Sequence, residues 1–330
     1  MKNHILSKVF LLVVLICANH KSYPQSNGDN ARVEDCLHLI YDGKFDSAYL
    51  LYPTFQPSDV HLKNLVTIFA MRWAHIPIAH SSEKDEYVKR LTEVEAVFNR
   101  LRKEQHYNLY LHITSQLLLS EFYYTNGDTG RALRHGKKVY PLLMKIFDMD
   151  IKEPELLFLR AMYLYYIDFF RSRGFIYRIV LSPFRNGDKT QGLKLLKETA
   201  NTKSLAQTEA LIYSAHILLH LEKKPELALP YSRKLVELYP ANLKFRELLI
   251  DNLIELKRYP EADAYLTAQL ETKMPYFKIP ALYFSGRIEI ESGKNKELAT
   301  NFFQQCIDLS VETGLLEDYK EKANLQLQNF

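Results

Sequence analysis

Residues 219–265 read LHLEKKPELALPYSRKLVELYPANLKFRELLIDNLIELKRYPEADAY, and the spacing inside this stretch decides the fold. Leu219, Ala228 and Tyr231 return 34 residues later as Leu253, Ala262 and Tyr265, and the Ala/aromatic pair returns again as Ala299 and Phe302. The flanking text is alike each time: Glu226-Leu227-Ala228-Leu229, Glu261-Ala262-Asp263-Ala264, Glu297-Leu298-Ala299-Thr300. Between these landmarks the apolar period is helical. Leu249, Leu253 and Leu256 fall on one helix face, as do Leu211, Ala215 and Leu218. Lys223-Lys224-Pro225, Tyr239-Pro240, Arg258-Tyr259-Pro260 and Ser292-Gly293-Lys294 separate the helices, with proline where a helix begins and glycine where one ends.

Working outward, the same turn-then-small-residue arrangement recurs more loosely. It appears at Asp42-Gly43-Lys44 with Ala48 and Tyr52, at Asn126-Gly127-Asp128 with Ala132, and at Asn186-Gly187-Asp188 with Gly192. A period near 34 built from two antiparallel helices resembles the tetratricopeptide repeat. Ala228 with Pro240, and Tyr259 with Ala262 and Pro275, carry that resemblance, which is clear over 206–312 and divergent over 31–205. It implies an all-α fold: a right-handed superhelical α-solenoid of six or seven antiparallel helix pairs, closed by a capping helix at 313–330. A small side chain lets the two helices of a pair approach closely. In this register Cys36 and Cys306 take small packing positions, which favours buried thiols over a disulfide. Ala132 and Gly192 lie 60 residues apart, more than one repeat. The block from Glu153 to Phe184 is therefore one overlong helix, or two broken near Ser172-Arg173-Gly174.

The composition agrees. The chain has 330 residues, of which 47% are hydrophobic and 25% charged, with only 11 Gly and 13 Pro. Those values exclude wholesale disorder and argue against a turn-rich β fold. The start is distinct: Lys2 and Lys8 precede a ten-residue apolar run, Val9–Ala18, and a polar stretch, 19–30. This fits a secretory signal peptide over 1–18, cut between 18 and 25, and is too short to span a bilayer. Cys17 raises a lipoprotein alternative that Ile16 disfavours, so membrane attachment is expected only with lipidation at Cys17. The absence of any Asn-x-Ser/Thr sequon favours a bacterial envelope, either periplasmic or membrane-associated. Removing Lys2 and Lys8 takes the formal charge from +4 to +2, too little to imply nucleic acid.

Chemistry-bearing motifs are few. His216 and His220 stand at i, i+4 without the glutamate or third ligand of a zinc site. His61, His75, His80 and His112 form no spaced set, and Gly-rich phosphate loops are absent. No catalytic residue, metal ligand or cofactor is assigned. The block Arg160–Arg178 interleaves arginines with aromatics, and Arg160, Tyr163, Tyr166, Arg171 and Tyr177 are candidates for gripping a peptide. The resemblance also implies a concave face lined by the first helix of each pair. That places Tyr213, Ile217, His220, Lys244, Glu247 and Asp251 on it, without the Lys/Asn clamp that holds a C-terminal carboxylate. The expected function is a non-enzymatic envelope scaffold that binds a peptide or protein in this groove. The alternatives are an envelope enzyme with its site in the groove or in 148–205, and the sensor part of a multi-component signalling system.

Overall fold

A computed structural model describes residues 27–51, 60–98 and 106–329, and all regular structure in them is helical. The expected leader, Cys17, Tyr52 and most of the polar linker lie outside the described residues, while Asn27–Asn30 already belong to the first helix. The chain divides into two compact units, one ending at Leu211 and the other spanning Ile212–Phe330.

In the first unit the helices are α1 (Asn27–Tyr41), α2 (Phe45–Leu51), α3 (Val60–Ala74), α4 (Lys84–Phe98), α5 (His106–Thr125), α6 (Thr129–Phe147), α7 (Pro154–Arg171), α8 (Phe175–Val180) and α9 (Lys189–Asn201). Helix α10 (Gln207–His216) crosses the division and runs on as a π turn, Ile217–Leu221. The second unit continues with α11 (Pro225–Leu238), α12 (Leu243–Glu255), α13 (Tyr259–Leu270), α14 (Pro275–Glu291), α15 (Lys296–Thr313) and α16 (Glu317–Gln328). Within each unit helices pack chiefly against their neighbours in sequence. This is the local pattern of a helical solenoid.

One turn chemistry closes the pairs. At Gly43, Gly127, Lys257 and Gly293 the backbone is left-handed, with φ of +74°, +77°, +57° and +71°. The next amide in each case bonds back five residues: Lys44 to Leu39, Asp128 to Tyr123, Arg258 to Leu253 and Lys294 to Glu289. That paired closure satisfies carbonyls that the helix end leaves open, and glycine favours it because it has no Cβ to clash. At Lys223 the turn reaches one residue further, Lys224 to Leu218, because the π turn precedes it. Asp128, Asp188, Asn242 and Asn295 then cap the starts of α6, α9, α12 and α15 through their side chains.

Five residues past the turn sits the small position. Ala48, Ala132, Ala228 and Ala262 all follow this count, Ala299 follows one residue later, and all five are fully buried. The facing helix sends a small polar group to the same place: Cys36 donates to the Ala48 carbonyl at 3.3 Å and Ser120 to the Ala132 carbonyl at 2.8 Å. Cys36 and Cys306 are free and buried, and burial pushes their thiols up to about 11 and about 12. They are packing residues rather than reactive ones.

The 60-residue gap has a simple structural origin. Helices α7 and α9 form the pair, with residues 172–186 inserted between them. Gly187 and Gly192 stand five residues apart, but Gly187 lacks the left-handed turn and Asp188 N–H instead bonds the Leu164 carbonyl. Of the two readings of this block, the chain takes the broken one. Helix α7 ends at Arg171 and α8 starts after Gly174, whose φ of +148° is open to glycine alone.

Candidate functional site

The second unit brings several of the groove candidates together in a half-buried row. Glu247 and Ile217 are buried at 7% and 0% exposure, so neither lines an open surface as expected. Lys244 Nζ meets both Glu247 oxygens, at 2.8 and 2.9 Å, and the Tyr319 hydroxyl on α16 donates to Glu247 Oε1 at 2.9 Å. Burial pulls the Lys244 ammonium down, but Glu247 and Tyr276 outweigh it and the net shift is upward. One turn on, Asp251 faces Arg287, which also reaches Glu255 at 3.0 Å and Glu291 at 2.6 Å. Burial raises Asp251 to about 6 against the pull of Arg287, with Glu255 and Glu247 adding to the rise.

His220 Nε2 lies 3.6 Å from Asp251 Oδ2. Burial, Lys223 and Lys322 push His220 down to about 4, so the ring is neutral at physiological pH and the counter-charge of Asp251 is Arg287. The His216 ring lies 4.6 Å from that of His220, tilted by 57°, and is likewise lowered to about 4 by burial. No group of three His, Cys, Asp or Glu side chains suited to a metal gathers among the described residues. Tyr213, on α10, is half-buried. Lys244 and Glu247 are tied to each other, and Asp251 and Glu247 to α14 and α16, which supply Arg287 and Tyr319 from far along the chain.

The first unit has a buried acid of its own. Tyr41 donates to Glu209 at 2.8 Å and sits edge-on to Trp73, the only tryptophan of the chain, at 5.6 Å. Burial raises Glu209 from 4.5 to about 7, although Arg72 and Tyr41 pull it down, and Glu121 adds to the rise. A raised folded pKa means the group's contribution is fully present below its ordinary pKa and is lost as pH rises through 7. Glu209→Gln is therefore expected to leave stability unchanged near pH 4 and to raise it by about 3 kcal/mol at pH 8. Urea unfolding followed by Trp73 fluorescence at the two pH values measures this; an equal shift at both would refute the buried-charge account.

The aromatic–arginine block splits in two. Tyr163 and Tyr166 belong to the core at 2% and 1% exposure, and burial raises both hydroxyls, so they present nothing to a partner. Arg160 bonds the Ile146 and Met149 carbonyls and lies over the Phe147 ring. Arg171 bonds Asn186 and the carbonyls of Leu181, at 2.6 Å, and Phe184, at 2.7 Å. These two arginines fasten loops and are spent there. Tyr177 packs on Phe170 at 5.7 Å.

What they hold in place is a projection that residue-type reasoning passed over. Tyr177 and the buried Leu181 seat one face of α8, while Phe175, Ile176, Ile179 and Val180 stand on the other at 71%, 52%, 55% and 39% exposure. The four occupy i, i+1, i+4 and i+5, so they share one side of a helix less than two turns long. The base is locked independently of the tip: Tyr163 donates to the Arg185 carbonyl, Asp188 N–H to the Leu164 carbonyl, and Lys189 N–H to Asp168. Residues 169–187 contain four arginines and no acidic residue, a signal present in the sequence.

Comparisons with protein-family models, curated proteins and solved structures return no match. No helix among the described residues is long and apolar enough to cross a membrane.

Proposed function

We propose that the chain is a non-enzymatic interaction scaffold of the bacterial cell envelope, built of tetratricopeptide-type helix pairs, whose docking surface is the α8 projection. The observation that carries this reading is the contrast within one short segment. Four large apolar side chains face solvent, while the loop that follows them is held by Arg171 at the Leu181 and Phe184 carbonyls and by Tyr163 at the Arg185 carbonyl. Apolar surface held out rigidly loses little entropy on binding, and contiguous apolar patches on soluble proteins commonly mark contact sites. The 34-residue recurrence and the repeated pair-closing turns support the repeat type, and the leader-like first residues support export. In the inner row of the second unit, the other candidate surface for a peptide, Ile217 and Glu247 are buried and the half-buried Lys244 and Asp251 already hold charged partners within the chain.

A photo-crosslinking residue at Ile176 tests this in living cells. It is expected to give adducts well above those from the same probe at Leu227, a lone exposed leucine of α11. Equal labelling at the two positions sinks the docking role.

A further inference from the structure

We infer that the surface met by the α8 projection is an anionic lipid bilayer, with Phe175, Ile176, Ile179 and Val180 entering the headgroup–acyl boundary and the flanking arginines meeting lipid phosphates. The inference rests on the docking role proposed above and goes further by naming the partner.

Three observations on the segment point the same way. The first is charge. Between Asp168 and Asp188 every ionisable side chain except Tyr177 is an arginine. The two bounding carboxylates are turned to the base, Asp168 accepting from Lys189 N–H and Asp188 from Gln191 N–H. Beyond the segment, Asp148 lies 3.8 Å from Arg185, at its base end. Arg173 and Arg178 are both exposed, Arg173 stacking on Phe169 at 4.4 Å, so the apolar tip is rimmed by guanidinium groups. Guanidinium is the cation best matched to a phosphate, through its planar fork of donors.

The second is geometry. A six-residue helix with apolar residues on one side and a seated opposite side is a wedge of the depth that interfacial segments use, a few ångströms into the bilayer rather than across it. The third concerns the rival occupants. Pairing this patch with the same patch on a second copy would bring Arg173 and Arg178 toward their own counterparts, a like-charge contact that an apolar interface does not relieve. A bilayer containing anionic lipid supplies both the apolar layer and the opposite charge. Attachment of this kind does not depend on Cys17.

The test is flotation of the full chain with vesicles of phosphatidylcholine alone or with phosphatidylglycerol added, together with the Ile176 crosslinker. The chain is expected to float with the phosphatidylglycerol vesicles and to be released by salt, since surface attraction is screened. F175D/I179D and R173E/R178E are each expected to lower that binding at least about tenfold, with L227D unchanged. Circular dichroism melts identify any variant that fails to fold, and the positions are exposed enough that both pairs keep the wild-type melt. No flotation, or flotation undiminished in both pairs, overturns the lipid assignment. A protein adduct or a self-dimer at Ile176 without flotation overturns it too, while leaving the docking role intact. Neither flotation nor any adduct overturns both.

Discussion

Arg287→Met is expected to cost roughly 3–5 kcal/mol of folding stability at neutral pH. Arg287 is the one cation that touches Asp251, Glu255 and Glu291 together, and its side chain is only 13% exposed. Methionine fills much the same volume, so the loss is electrostatic: three carboxylates remain beside one another with their shared donor gone. The pH dependence separates this account from a packing defect. Asp251 already titrates near 6 in the folded chain, raised by burial. A raised carboxylate pKa contributes stability below its ordinary value and loses it as pH rises through the folded value. Without Arg287 the rise is steeper, so the difference between variant and wild type should be smallest near pH 4.5 and grow through pH 7. His216 and His220, both lowered to about 4, destabilise the fold as pH falls toward 4. His220 lies 3.6 Å from Asp251, and losing Arg287 lets that carboxylate favour the protonated ring, which lessens the variant's loss at low pH and so acts in the same direction. Hydrogen exchange should show protection lost first in α12, α14 and α16. A pH-independent loss would mean that volume, not charge, was removed. Arg287→Lys should recover only part, since one ammonium cannot span three carboxylates.

How much of this was legible in the chain follows from where the physics is local. The helix pairs were readable because their closing turn and small position lie five residues apart in sequence, as at Gly127 and Ala132 or Lys257 and Ala262. The Gly187/Gly192 spacing matches in sequence, but there the glycines serve close approach to α7 rather than a left-handed closing turn. Adjacency within one helix was readable too: Lys244, Glu247 and Asp251 do lie along one face. Exposure was not, because it depends on partners far along the chain. Tyr319 reaches Glu247 across 72 positions and Arg287 reaches Asp251 across 36. In α7 the buried residues include Ala161, Met162, Tyr163, Tyr165, Tyr166, Ile167 and Phe169, which leaves no single apolar face to point inward. Choosing binding residues there by type alone selected the core. The better signal was the arginine-rich, acid-free composition of 169–187, which singles out the segment that leaves the body.

Gly192→Val is the substitution expected to uncouple that segment, at roughly 3 kcal/mol. A Cβ at Gly192 would fall 2.7 Å from Tyr165 N and 2.8 Å from the Ala161 carbonyl oxygen, both backbone atoms of α7. No rotamer change relieves such a contact, so α9 must move off α7. Two effects compete at this position, and their sizes decide the outcome. Alanine would gain about 1 kcal/mol of helix propensity over glycine, which offsets part of the clash. Valine brings less propensity and two further methyl groups, so the steric term dominates. Gly192→Ala should therefore be clearly milder than Gly192→Val. The consequence reaches beyond stability because the same pair of helices forms the footing of the projection. Gly187 is pressed on Leu164 and Asp168 in the same way, and Asp188, Lys189 and Arg185 take their bonds from α7. If docking needs the apolar tip held rigidly, the valine variant should bind vesicles more weakly at temperatures where its circular dichroism is still native, with exchange protection falling in α7 and α9. Full binding at such a temperature would show that the tip works as a free segment, and that the fastened base contributes only to the fold.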